Sequence, residues 1–343
     1  MSGSSGRKLV RFAGYTCAFL LLLLAAAITF TVGWRPVLGP RKRALTDRRF
    51  EATPARLQRG QYLVEHVSLC YGCHTAFDAK DRDVPQFLVA RGAGQVMVDE
   101  KGFRVVAPNI TPDPETGIGR WTDDELARAI REGISRDGRA LFPMMPYQSF
   151  RHMSDEDLAS VIVYLRSQPP ARHVLPKTSL PFPVSRLINN APQPVTAPVA
   201  SPDPGNTVAF GKYLVSAVGV CGDCHTPRDA HGQPIAGMYL AGGNPFPESG
   251  HLVVSANITP DPSGISYYDE ALFVQMMRTG SVKGRKLNVM MPTWAFSGMT
   301  DQDLKSIYAY LRTIQPERHR IDNTEKPSLC KIDGQMHGLG ELN

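Results

Sequence analysis

The segments "LCYGCHTAFDA" at 69–79 and "VCGDCHTPRDA" at 220–230 each set two cysteines three positions apart, with a histidine directly after the second. The chain has six cysteines, at 17, 70, 73, 221, 224 and 330, too few for a disulfide framework in 343 residues. A zinc site gives no reason for a histidine after each pair, and a thioredoxin-like redox motif needs a βαβ pattern that this sequence lacks. What remains is covalent haem attachment. Cys70 and Cys73, and likewise Cys221 and Cys224, add across the two vinyl groups of a haem, and His74 and His225 reach the iron as axial ligands. Two covalently attached haem c groups follow.

The elements around both motifs are duplicated. "GQYLVEHVSLCYGCHT" from Gly60 aligns with "GKYLVSAVGVCGDCHT" from Gly211, "NITPDPETGI" from Asn109 with "NITPDPSGI" from Asn257, and "MMPYQSFRHMSDEDLASVIVYLRS" from Met144 with "MMPTWAFSGMTDQDLKSIYAYLRT" from Met290. The offset drifts from 151 through 148 to 146, the mark of small loop deletions between two copies of one unit. The division expected is an N-terminal segment at 1–49, a first haem unit at 50–168, a proline-rich connector at 169–206, a second haem unit at 207–316 and a tail at 317–343. The connector reads either as a loose linker or as a semi-rigid strap packed on both units.

Each unit reads as three helices joined by long loops. The first helix runs through "RLQRGQYLVEHV" into the haem motif. The second opens with a capping box, Thr122 with Glu125, and turns Leu126, Ala129 and Ile130 inward. The third opens at Ser154, with Leu158, Val161, Ile162 and Leu165 at helical spacing; Leu304, Ile307 and Leu311 repeat the stripe. Met153 and Met299, just before these caps, read as staples onto Leu158 and Leu304.

The sixth iron position separates an electron carrier from a reactive haem, and both units offer "MMP" in the loop after the middle helix. Thioether coordination opposite histidine raises a haem potential, which suits a carrier. The residue before proline is held extended, so Met145 and Met291 are the expected ligands and Met144 and Met290 apolar cover; the alternative is that all four line the pocket. His66, His152, His173, His231, His251, His319 and His337 are read as lone histidines without repeat partners, and Cys330 is given no role. Trp121, Asn109 and Asn257 either hold haem propionates or fix turns.

Charge and hydropathy define the N-terminus. The formal charge is +6, but the first 49 residues hold nine Lys and Arg against one Asp, leaving the rest slightly acidic and without the basic patch of a nucleic-acid binder. Phe12 to Trp34 is uncharged over 23 positions, long enough to cross a bilayer, and Trp34 suits the interface. Arg7, Lys8 and Arg11 with Ala25 and Ala27 also resemble a cleavable export signal; the apolar run past Ala27 favours a retained anchor. Cys17 is then a small apolar residue of that helix.

"RGQYLVEHVSLCYGCHTA", "NITPDPETGIGRWTDDELARAIREG", "LFPMMPYQSFRHMSDEDLASVIVYLRS" and "GKYLVSAVGVCGDCHTPRDAHGQP" resemble the multihaem cytochrome c subunits of membrane-bound bacterial alcohol and gluconate dehydrogenases over about residues 54–316. The resemblance implies His74 and His225 as proximal ligands and Met145 and Met291 as distal ones. It also implies a chain without catalysis of its own, which takes electrons from a dehydrogenase subunit and passes them to quinone, an oxidase or another cytochrome. Such subunits usually carry three haem motifs, and this chain carries two. The fold expected is all-α, two tandem cytochrome c-like domains behind one N-terminal transmembrane helix. Haem attachment of this kind places them on the periplasmic side of a bacterial inner membrane, with the basic residues after Trp34 at the outer headgroups. A dihaem peroxidase or thiosulfate-oxidising enzyme is the alternative.

Overall fold

The computed structural model describes residues 3–78, 86–229, 232–248 and 251–338; His231 lies outside the described residues. A long helix, α1 (Gly3–Phe30), begins the chain, and its Leu9–Phe30 segment has a mean hydropathy of 2.1 with none of it buried against the protein. That segment is long and apolar enough to cross a membrane.

The first half then forms α2 (Pro54–Tyr62), a π-helical turn at Leu63–Val67, α3 (Cys70–His74), a hairpin of β1 (Gln95–Glu100) with β2 (Phe103–Ala107), α4 (Asp123–Glu132), α5 (Tyr147–Phe150) and α6 (Asp155–Ser167). The second half repeats the order: α7 (Thr207–Tyr213), a π turn at Leu214–Val218, α8 (Cys221–His225), β3 (Pro245–Glu248) with β4 (His251–Val254), α9 (Glu270–Thr279), α10 (Thr293–Phe296) and α11 (Asp301–Leu311). The chain is mostly helical, as its patterning predicts. The hairpins inside the expected loops went unforeseen, because their strands are short and partly exposed and lack a clean alternation.

Local chemistry sets the helix ends. Thr122 accepts from Glu125 N while the Glu125 carboxylate accepts from Thr122 N, the capping box expected of α4. Ser154 and Thr300 open α6 and α11 by accepting from Asp157 N and Asp303 N. Met153 and Met299 are buried in the same core as Leu158 and Leu304. The first and last helices of each half pack together through a glycine: a Cβ at Gly60 would lie 2.0 Å from Ser160 O, and one at Gly211 would lie 1.8 Å from Ser306 O. Only a residue without a side chain permits that approach.

The proline-rich segment packs along the first half. Ser179 and Arg104 exchange backbone hydrogen bonds at 2.7 and 2.9 Å, Thr178 Oγ1 accepts from Val106 N, and Val199 O accepts from Asp155 N. Asn190 Nδ2 donates to Val32 O at the exit of α1, and Arg41 donates to Gln193. Arg43 corrects the expectation that the basic residues after Trp34 face headgroups. Its guanidinium turns into the protein, donating two hydrogen bonds to Asp124 at 2.6 and 2.7 Å and one to Glu132 at 2.7 Å.

Candidate haem sites

Each Cys-X-X-Cys-His segment is a single helical turn entered through a left-handed residue, Leu69 at φ 52° and Val220 at φ 47°. A residue with a side chain is strained in that region, the β-branched Val220 most of all, and the surrounding fold must hold it there. The preceding π turn delivers the chain to that point: Ser68 N donates to Leu63 O, and Gly219 N to Leu214 O, each at 2.7 Å.

A repeated clamp then grips the motif. Gly94 N donates to His74 O at 2.7 Å and Gly242 N to His225 O at 2.6 Å. Thr75 Oγ1 accepts from Gly92 N, and Thr226 Oγ1 from Leu240 N. A side-chain amide completes each copy: Gln95 Nε2 donates to Cys73 O, and Asn244 Nδ2 to both Cys224 O and Thr226 O. These groups hold the cysteines and histidine of one turn in a fixed relation.

The histidines are oriented by backbone. His74 Nδ1 pairs with Pro108 O, and His225 Nδ1 with Ala256 O, both at 2.7 Å. A ring that donates from Nδ1 to a carbonyl keeps its Nε2 lone pair for a metal. His74 is buried and His225 half-buried, and burial lowers both pKa values, so the imidazoles stay neutral, the form an iron ligand needs. Burial pushes the Cys70 and Cys221 thiols up to about 12 and Cys224 to about 11. For Cys224, Asp223 and then Cys73 of the first half add to the rise.

The "NITPD" repeat follows directly on those two carbonyls in the chain. Asn109 Oδ1 accepts from Thr111 N and Oγ1, while its Nδ2 donates to Ala171 O at 2.7 Å. Asn257 does the same with Thr259 and Glu317 O at 2.8 Å. Between the two readings open for Asn109 and Asn257, turn fixation is the one the side chains adopt. The segments they clasp correct a second expectation. His173 and His319 are repeat partners: His173 Nδ1 pairs with Ala93 O at 2.9 Å and His319 Nδ1 with Ala241 O at 3.0 Å, at equivalent places in the two clamps. The shared "RH" at an offset of 146 was the signal, obscured by unlike neighbours.

On the loop before α5 and α10, Met145 and Met291 are half-buried and pack against the same core as Cys70 and Cys221, whereas Met144 and Met290 are 43% and 41% exposed. Met145 O accepts from Tyr147 N at 2.8 Å and Met291 O from Thr293 N at 2.7 Å, a tight turn about each following proline. The donor set of each half therefore fits a covalently held haem: two thiols on one turn, an imidazole oriented through Nδ1, and a thioether fixed against the same core.

Similarity to known proteins agrees with this chemistry. A cytochrome c family model matches residues 57–169. A "Diheme cytochrome c-type" protein of Cereibacter sphaeroides is 32% identical over 256 residues, which are 71% of this chain and 81% of that protein. The chain belongs to the cytochrome c family. Two further relatives of this cytochrome c are named as parts of dehydrogenases. The "Alcohol dehydrogenase (quinone), cytochrome c subunit" of Gluconacetobacter polyoxogenes is 31% identical over 285 residues, covering 78% of this chain and 57% of that one. A nicotinate dehydrogenase subunit of Pseudomonas putida is 38% identical over 195 residues, covering 55% of this chain and 16% of that one. The cytochrome thus spans less than two thirds of the length of these two.

Proposed function

We propose that this cytochrome is a membrane-anchored dihaem electron carrier, each half one cytochrome c domain, that takes electrons from a dehydrogenase chain and passes them toward the respiratory chain. Cys70 and Cys73 would attach one haem with His74 and Met145 as its axial ligands, and Cys221 and Cys224 the other with His225 and Met291. Bound haem supplies a one-electron iron couple.

The observation that carries the reading is the sameness of the two halves. Each presents a carbonyl-tied histidine and a turn-held methionine, and a peroxidase would instead need one half with an open or displaceable side. In this reading the chain's own residues would fill both sides of each site, and the packing of the two π turns against each other suits relay between the halves. The apolar surface of α1 supports a retained anchor, with both domains on the outer face of the inner membrane. Quinone, an oxidase or another cytochrome would accept the electrons.

The detergent-solubilised full chain should show two covalent haems by pyridine haemochrome assay, and its reduced form should leave carbon monoxide unbound. Peroxide turnover at roughly 1 to 10³ per second would sink the carrier reading. Protease added to intact spheroplasts should remove the haem domains; their complete protection would reverse the proposed orientation.

A further inference from the structure

Outside the haem sites, the C-terminal tail gathers four ligand-type side chains in the second half. Beyond α11 the chain crosses the clamp at His319, pairs Asn323 with both backbone groups of Val254, and returns through the hairpin of β5 (Ser328–Leu329) and β6 (Met336–His337). This brings one ligand atom each from His319, Cys330, Asp333 and His337 within 4.8 Å of one another. Cys330 Sγ lies 3.5 Å from His319 Nε2, Asp333 Oδ2 lies 3.6 Å from that nitrogen, and His337 Nε2 lies 3.0 Å from Asp333 Oδ2.

We propose that His319, Cys330, Asp333 and His337 form a tetrahedral zinc site that fastens the tail to the second half. Zinc–sulfur and zinc–nitrogen bonds of about 2.3 and 2.0 Å at the tetrahedral angle put sulfur and nitrogen about 3.5 Å apart, and two light ligands about 3.3 Å apart. The three separations above bracket those edges.

A divalent cation would suit the charge of this cluster. The side chains of His319 and Asp333 are both 0% exposed, and among the described residues the ion-pair partners of Asp333 are the two histidines, with no Lys or Arg. A carboxylate so buried is costly without a counter-charge. One thiolate, one carboxylate and two neutral imidazoles balance a divalent ion to zero. The carboxylate as fourth donor, in place of a distant thioether, selects zinc over a copper electron-transfer centre.

The surrounding groups orient the ligands as metal sites require. His319 donates from Nδ1 to Ala241 O, leaving Nε2 inward. Ile332 N donates to Cys330 Sγ at 3.4 Å, and Gln335 N to Asp333 Oδ1 at 2.9 Å. Gly243, at φ 106°, admits the cluster, because a Cβ there would lie 2.5 Å from Asp333 Oδ2. His173 holds the equivalent place in the first half, where the chain instead continues into the proline-rich segment. His319 pairs with Ala241 O, and the neighbouring Gly242 and Asn244 clamp the second attachment turn, so the ion would brace that clamp.

Elemental analysis of the untagged, detergent-solubilised full chain, grown with zinc, should find about one zinc per chain. Zinc K-edge absorption should give a shell of one sulfur at about 2.3 Å and three lighter ligands at about 2.0–2.2 Å. Cys330→Ser and His337→Gln should each lower retained zinc about tenfold or more with covalent haem unchanged, while Cys17→Ser should retain it. Wild-type zinc below about a tenth per chain after equilibration with micromolar zinc overturns the proposal, as does a shell without sulfur, stoichiometric copper or non-haem iron (iron beyond the haem content) instead, or full zinc in both variants. If either variant fails to accumulate, the wild-type stoichiometry and absorption shell decide alone. None of these readouts depends on the electron-carrier reading.

Discussion

Tyr62 donates its hydroxyl hydrogen to Asp303 Oδ2 across the boundary between the halves at 2.6 Å, and its repeat partner Tyr213 donates to Asp157 Oδ2 at the same distance. Each hydroxyl in turn accepts from the backbone that caps the opposite helix, Thr300 N for Tyr62 and Ser154 N for Tyr213. The halves therefore meet in a pseudo-two-fold exchange, in which the π turn of each packs against the short helix after the methionine loop of the other. His66 tightens one side, pairing through Nδ1 with Ala295 O at 3.0 Å. The exchange is not equal. Asp157 also takes a bidentate pair from Arg59 at 2.8 and 2.9 Å, whereas Tyr62 is the side-chain donor to Asp303 among the described residues. Tyr62→Phe should cost about 1.5–3 kcal/mol, the range for a hydrogen bond to a charged group, and Tyr213→Phe should cost less. Thermal unfolding of the haem-loaded protein checks this order; equal losses would show that Arg59 does not compensate.

The methionine loops carry a prediction that separates neighbours in sequence. Met145→Ala or Met291→Ala should leave haem covalently bound, lower one of the two potentials, and make one site reactive toward carbon monoxide. Met144→Ala and Met290→Ala remove side chains that are 43% and 41% exposed and should change neither property. A redox titration with a carbon monoxide difference spectrum reads both. The same result from Met144→Ala, without one from Met145→Ala, would reassign the ligand.

Asn109 and Asn257 are turn-fixing residues, and their replacement should act through stability. Asn109→Ala strips the amide from Ala171 O and the acceptor from Thr111, at a cost of about 2 kcal/mol or more, and loosens the carbonyl that orients His74. The loss should appear as a lower unfolding temperature with the first potential's pH dependence unchanged. A changed pH dependence without loss of stability would restore the propionate role.

What the sequence revealed, and what it hid, follows from how far each signal reaches. The Thr122–Glu125 box was legible because its chemistry lies in two side chains three positions apart. The partners of His74 and His225 were not, since a carbonyl at Pro108 or Ala256 carries no residue identity. The π turns at Leu63–Val67 and Leu214–Val218 have no periodicity to separate them from an α-helix. Cys330, Asp333 and His337 look ordinary one by one, and only the return of the tail to His319 makes them a group. Composition alone places Arg43 at the headgroups, because its carboxylate partners lie 81 and 89 positions away in the chain.

That arginine ties the segment after the anchor to the first half, and the tie should be sensitive to acid. Asp124 has a fully buried side chain; burial alone would raise its pKa, but the Arg43 fork and the Thr46 amide at 2.7 Å outweigh it and hold the carboxyl below its ordinary value. Glu132, on the same guanidinium, is shifted the other way, chiefly by burial. A carboxyl lowered by folding contributes stability that is present above its unfolded pKa of about 3.9 and is lost as pH falls through the folded value. The segment should stay docked at neutral pH and release only in acid below about pH 4. Asp124→Asn should release it at neutral pH, because removing one partner of a buried pair costs about 3–5 kcal/mol. Limited trypsin digestion followed by mass spectrometry reads the state of the peptide bond after Arg43, whose side chain is 14% exposed in the docked form. Faster cleavage there in the variant at neutral pH, with haem content retained, is the expected outcome; cleavage at the wild-type rate would mean that the rest of the contact holds the segment without this pair.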